Sequence, residues 1–335
     1  MRFLLALIRS IFSVSFFNTA VTQGIPLMYG ATGEIITEKS GNLNLGIPGI
    51  MYMGGIGSLA GAFLYEISTP NPSGAAGIFF AILGCVLFSF LGALIYCVLT
   101  ITLKANQNVS GLALTTFGIG LGNFLGGSFS KITGTAGQIT VYTTGQAFRT
   151  KIPVLSDHLG FVGKLIFNYG FLTYLAIIVS VLAGIFLNKT RKGLNLRAVG
   201  ENPAAADAAS INVTKYKYVS TLVGGIISGF GGMYFVMEYL GGTWQNNGFG
   251  DRGWLAVALV IFAIWSPFRA IWGSIVFGGL YMLFTYVPLP MAWQEIFRML
   301  PYIVTILMLI ITSLQKKKEN QPPASLGLSY FREER

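Results

Sequence analysis

The chain has 335 residues, of which 53% are hydrophobic and only 10% charged, with a formal net charge of +10. A soluble domain carries roughly 25% charged residues, so this composition excludes a water-soluble fold and describes one integral membrane domain, all-α, a polytopic helix bundle. The basic excess excludes a nucleic-acid partner by its placement. Lys and Arg cluster at 189–217 and 316–335 beside apolar stretches, as in cytoplasmic loops, and no basic groove interleaved with stacking aromatics is visible.

The chain opens on Met1-Arg2 and an apolar run with the flavour of a signal peptide. Arg9 interrupts it and no small-residue cleavage site follows, so this stretch is expected to stay in the mature protein. Cutting at polar and turn-rich breaks, with about 17 to 25 apolar residues per span, predicts about nine spans (eight to ten). They run at 11–36, 46–64, 77–102, 107–128, 168–188, 218–239, 250–265, 269–288 and 296–314. The seventh is weak. Its apolar part, Trp254 to Trp265, makes a helix of only about 18 Å, so this span is expected to be broken or re-entrant. The transmembrane domain is therefore 1–315, with a polar loop at 189–217, an external loop at 128–167 and a cytoplasmic basic tail at 316–335. With that tail inside, alternation puts Lys39, Lys104, the 189–217 loop and Arg269 inside too. Arg149, Arg252 and Arg298 fall outside or interfacial, and the N-terminus, with Arg2 and Arg9, outside.

Glycines recur every fourth residue within spans: Gly57 and Gly61; Gly118, Gly122 and Gly126; Gly225 and Gly229. In lipid such stripes let helix backbones approach closely, and none follows a strand as a dinucleotide-binding loop would. Cys85 and Cys97, the only cysteines, are twelve residues apart in one apolar run. Along a helix that is about 18 Å, beyond disulfide reach, which makes them packing residues. The single histidine, His158, has no second ligand grouped with it, so metal chemistry is unsupported. A short surface helix over Val154 to Phe167 or a plain connector both fit the external loop.

No nucleotide-binding loop is present. Gly163-Lys164 lacks the first glycine of the motif, where His158 stands, and Leu165 replaces the hydroxyl residue. No GxSxG or HExxH occurs either, so no catalytic residue is assigned. The acids Glu34, Glu38, Glu66, Glu238, Asp251 and Glu295 fall at or near span ends and read as interfacial, which weighs against an ion-coupled carrier. Uncharged polar residues do lie within or at the ends of spans. Asn18, Gln23, Asn44, Asn108, Thr115 and Asn123 are the candidates for lining a solute pathway, or for bonding helices to one another.

The loop 189–217 contains a short helix in its sequence. Asn202 is a good N-cap, Pro203 suits the first helical position, and the alanines from Ala204 to Ala209 propagate the helix. With little side-chain bulk it is suited to sink into a cleft of another protein; an ordinary surface helix fits equally.

The run Gly193-Leu-Asn-Leu-Arg197-Ala-Val-Gly200-Glu201-Asn202-Pro203-Ala-Ala-Ala-Asp207-Ala-Ala resembles the cytoplasmic coupling loop of ABC-importer permeases of the branched-chain amino acid, ribose and nucleoside superfamily. Glu38-Lys-Ser-Gly41-Asn-Leu-Asn-Leu-Gly46, Asn108-Val-Ser-Gly111 and Gly253-Trp-Leu-Ala-Val-Ala are similar to the nucleoside and simple-sugar branch. Ser210 stands where the family generally has glycine. The resemblance implies a non-catalytic subunit of a prokaryotic plasma-membrane importer that pairs with a second permease. A cytoplasmic ATPase, which uses the ATP and magnesium, would engage Arg197, Gly200, Glu201, Asn202, Pro203, Ala205, Asp207 and Ala208. A lipid-anchored external binding protein would deliver the solute, a nucleoside first, with ribose-like sugars or branched-chain amino acids as alternatives. The resemblance implies no cofactor on this chain. A self-sufficient carrier or channel is the competing reading from another class.

Overall fold

A computed structural model describes residues 13–132, 139–151, 163, 165, 167–287, 291–315 and 321–331. In chain order the helices of the described residues are α1 Val14–Glu38, α2 Ile47–Ser68, α3 Gly74–Cys97, α4 Gln107–Ile132, α5 Tyr142–Phe148, α6 Phe171–Lys189 and α7 Arg191–Glu201. There follow α8 Pro203–Ala208, α9 Val213–Met233, α10 Arg252–Phe262, α11 Pro267–Tyr286, α12 Met291–Arg298 and α13 Leu300–Gln315. Wide π turns extend α3 through Val98–Thr102 and α9 through Tyr234–Tyr239. An isolated bridge between Thr140 and Thr243 is the β pairing among the described residues. The all-α bundle expected from composition is what forms.

The helices are inverted relative to a soluble bundle. On α3, Phe79, Leu83, Leu87, Leu91 and Ile95 repeat every fourth residue on the exposed face, while Gly77, Ala81, Cys85, Ser89 and Ala93 are buried. Small residues face protein and large apolar ones face outward, the arrangement that lipid favours. Helix α13 likewise exposes Ile306, Ile310 and Leu314. Both cysteines are buried and unbridged.

The glycine stripes are the seams of the bundle. A Cβ on Gly57 would lie 2.5 Å from Gly84 O, one on Gly118 2.3 Å from Gly49 O, and one on Gly54 2.4 Å from Gly229 O and 2.5 Å from the Gly229 Cα. Helices α2 and α9 thus pack backbone to backbone around α1, which is buried over most of its length although it carries Thr32, Glu34, Thr37 and Glu38.

Among the described residues six helices are long and apolar enough to cross a membrane: Ile47–Ser68, Gly74–Thr102, Gln107–Phe129, Phe171–Lys189, Val213–Tyr239 and Pro267–Tyr286. Each matches an expected span. The remaining three expected spans correspond to α1, which is long but polar, to the short α10, and to the pair α12 and α13, so the total of nine stays an expectation. Helix α10 has 11 residues, a rise of about 16 Å, and ends at Ile264 and Trp265, both in left-handed conformation (φ 52° and 49°). That length is shorter than a bilayer crossing needs, so the broken or re-entrant seventh span stays an expectation.

The expected surface helix over 154–167 lies almost wholly outside the described residues, as do His158, Arg2 and Arg9. The external loop instead contributes α5, whose Thr144 donates through its backbone N–H and its hydroxyl to Glu66 at 2.8 and 2.7 Å.

Candidate functional site

The polar breaks after α1, α3, α6 and α10 meet at one end of the bundle, and residues 321–331 lie across them. Trp265 Nε1 donates to Glu38, Gly327 N donates to Gly41 O at 3.3 Å, and the Lys104 ammonium sits 4.0 Å from the centre of the Phe331 ring. Lys39, Lys104, Lys189, Arg191, Lys192, Arg197, Lys215 and Lys217 belong to this end.

The centre of this end is the pair α7 and α8. Thr190 caps α7 by accepting from Gly193 N at 3.0 Å. Gly193 permits the chain to turn off α6, because a Cβ there would lie 2.0 Å from Phe186 O. Asn202 caps α8, its Oδ1 accepting from Ala205 N at 3.0 Å, and Pro203 occupies the first turn as its sequence position predicts. Ala206 packs inward with Val199 and Val213, leaving Ala204, Ala205, Ala208 and Ala209 exposed. The outer face of α8 is thus a smooth alanine surface held by one buried anchor.

Two contacts tie this element to the bundle. Gly200 lies against the turn after α1, where a Cβ would meet Lys39 O at 2.3 Å, and Gly41 in that turn needs its positive φ of 82°. Gly200 O also accepts from Ser325 N at 3.0 Å and Ser325 Oγ at 2.6 Å, while Tyr330 donates to Asp207 Oδ2 at 2.9 Å. Burial lowers the Lys39 pKa, and the neighbouring Glu201 carboxylate opposes the shift. Arg197 is half-buried and its Nε has no hydrogen-bond partner. A displacement of α8 must therefore move both the end of α1 and the start of α9.

The six pathway candidates are not gathered on one surface. Gln23 Oε1 accepts from Arg252 Nε at 3.0 Å and Nη2 at 2.7 Å. Asn44 Oδ1 accepts from Gly46 N, and Thr115 donates to Leu45 O at 2.7 Å. These three are spent on holding the chain to itself. Asn123 exchanges bonds with Asn247, whose N–H and Oδ1 it engages at 3.1 and 2.8 Å, and Asn108 is exposed at the other end of α4. Asn18 accepts from Tyr169 and borders a shallow depression with Ser15, Thr19 and Thr22.

Several charged residues that read as interfacial are in fact interior. Arg252 is 8% exposed, with Phe235, Tyr239 and Tyr281 rings 4.8, 5.8 and 5.0 Å from its guanidinium carbon. Glu238 is 8% exposed, and it accepts from Gly170 N, Leu172 N and Thr173 Oγ1 at the start of α6. There it caps a helix whose N-terminal amides would otherwise be unsatisfied. Glu34 is fully buried and accepts from Asn44 N at 2.9 Å. No local pattern announced these burials, because the partners of Arg252 and Glu238 lie far away in sequence and Glu34 bonds to the turn between α1 and α2. Among the described residues no group of three His, Cys, Asp or Glu is placed to hold a metal ion.

The profile of the family described as branched-chain amino acid transport system / permease component matches residues 16–309. The chain is 32% identical over 315 residues to the nucleoside ABC transporter permease protein NupC of Lactococcus lactis, covering 92% of this chain and 93% of that protein. It is 30% identical over 289 residues to the guanosine ABC transporter permease protein NupQ of Bacillus subtilis, covering 85% and 87%. It is 33% identical over 269 residues to the putative glucose ABC transporter permease protein TsgC13 of Haloferax volcanii, covering 80% and 76%.

Proposed function

Because the chain belongs to the branched-chain amino acid transport system permease component family, we propose that it is the membrane subunit of an ATP-driven importer for nucleosides in a prokaryotic plasma membrane. It forms the translocation pathway together with a second permease. An external binding protein delivers the solute, and a separate cytoplasmic ATPase consumes the ATP and magnesium. The observation that carries this reading is the exposed alanine face of α8, anchored through Gly200 to the end of α1. The substrate class is supported by the two relatives named for nucleoside and guanosine transport.

In this reading the ATPase grips α8 through Ala205 and Ala208, with Arg197, Glu201 and Asp207 framing the contact. Closure of the nucleotide-bound ATPase drives α8, and the Gly200 contact transmits that motion to α1 while Asn212 and Val213 transmit it to α9. Since the two helices meet at a glycine seam, Gly33 against Gly224, they tilt as packed units and change which side of the membrane the pathway faces.

The test is Ala205→Arg, and separately Ala208→Arg. A large cation on a surface built of methyl groups prevents close docking, so labelled guanosine uptake falls at least tenfold while the amount of inserted protein is unchanged. Unimpaired uptake overturns the coupling assignment, and uptake by the lone chain in liposomes without ATP overturns the importer reading. The 33% identical relative named for glucose favours simple sugars as the second reading. Glucose or ribose that competes with labelled guanosine at equal concentration would select it.

A further inference from the structure

Beside α8, the end of the bundle that carries the basic residues holds a cleft of about 710 Å³ to which the transport reading assigns no ligand. The N-terminal turns of α9 form one wall, the end of α3 at Thr100 and Ile101 with Lys104 another, and the tail at Ser329 and Tyr330 the third. Lys104, Lys215 and Lys217 border it, against one acid, Asp207, which already accepts from Tyr330. The volume lies within the about 300–1,000 Å³ usual for small-molecule sites.

Lys217 is the decisive group. Its side chain is only 4% exposed, it borders the cleft, and no hydrogen bond or ion pair engages its ammonium among the described residues. Lys104 and Lys215 are exposed and so are solvated. A lysine whose stem is buried and whose ammonium has no bond or ion pair presents an unanswered cation to the cleft. Asn42, on the opposite wall, is fully buried and donates through Nδ2 to Thr221 at 3.1 Å. The cleft thus offers an unmet cationic donor.

We infer that this cleft binds a phosphate ester. The phosphate oxygens meet Lys217, flanked by Lys215 and Lys104, at the N-terminal end of a long helix, where free amides and the helix dipole favour an anion. The ligand is either a soluble phosphomonoester or the headgroup of an anionic phospholipid. Because the cleft is walled by α8, by the base of α9 and by the tail, its occupant holds the coupling element against the bundle. The site stands on this geometry alone, and guanosine uptake can persist if it fails.

The full-length chain is placed in phosphatidylcholine nanodiscs, and its melting is followed as inorganic phosphate replaces chloride at constant ionic strength. A second preparation contains phosphatidylglycerol and no free phosphate. Saturable stabilisation by phosphate, with its midpoint at least tenfold higher in Lys217→Met, supports the soluble ester. Stabilisation by phosphatidylglycerol alone, absent in the variant, supports the headgroup. The unliganded variant is expected to melt no lower than the wild type, since it loses an uncompensated charge. Lys217→Gln serves the same purpose if the apolar variant does not fold. No response of the wild type in either preparation, or equal responses of wild type and variant, overturns the site.

Discussion

Ser210 ends the turn after α8 with φ 63°, in the left-handed region that an L side chain enters at a cost of roughly 1–2 kcal/mol. The family pattern generally has glycine at this position, and the backbone supplies the reason. Ser210→Gly is expected to stabilise the protein by about 1 kcal/mol and to leave transport intact, because the side chain is exposed. A lower melting temperature for that variant would show that the hydroxyl is needed there. At Arg252 the direction reverses. Gln23 accepts two of the bonds its guanidinium makes, the shortest among them, in a buried site. Gln23→Leu should cost about 2–3 kcal/mol, the range for a lost hydrogen bond to a buried charge. Adding Arg252→Met to that variant should recover part of the loss, as a double-mutant cycle of melting temperatures would reveal.

At the scale of the helices, the glycine seams carry the packing, and their spacing makes a paired prediction possible. A Cβ on Gly54 of α2 would lie 2.4 Å from Gly229 O and 2.5 Å from the Gly229 Cα of α9, whereas a Cβ on Gly120 of α4 meets nothing within 4 Å. Gly54→Leu should exceed the usual overpacking cost of about 1–3 kcal/mol, since the obstruction is backbone that cannot rotate away. Gly120→Leu should be tolerated. Equal yields of folded, membrane-extracted protein for the two variants would refute the seam.

The same contrast explains what could be read in the sequence. The seams and the Asn202-Pro203 start of α8 depend on neighbours three or four residues apart, so their spacing was sufficient. Gln23 and Arg252 are 229 residues apart, and neither the mid-span amide nor the span-end guanidinium points to the other in sequence. The tail segment reads as a solvated extension, yet Ser325 and Tyr330 dock on α7 and α8 through bonds to a backbone carbonyl and a carboxylate. Such contacts leave no periodic trace. For the same reason Asn44 and Thr115, chosen because they are polar among apolar residues, turn out to hold turns and helices together.

For the whole molecule, the decisive question is which surface faces the cytoplasm. The two ends differ in charge: Lys39, Lys104, the 189–217 segment and Arg269 gather at one, and Arg149, Lys151 and Arg298 at the other. The positive-inside rule predicts that the basic end, the one that carries α8 and the proposed phosphate cleft, faces the cytoplasm. Crossing parity makes this measurable without settling the full span count. Three long helices, α3, α4 and α6, separate Asn71 from Lys189, whereas two, α4 and α6, separate Lys104 from Lys189. Cysteines placed singly at these three exposed positions are therefore expected to react with an impermeant maleimide on intact cells only at Asn71→Cys. Lys104→Cys and Lys189→Cys should react only after the membrane is opened. Cys85 and Cys97 are buried and contribute little background. Labelling of Lys189→Cys on intact cells would invert the molecule and remove α8 from reach of any cytoplasmic ATPase, whatever the solute.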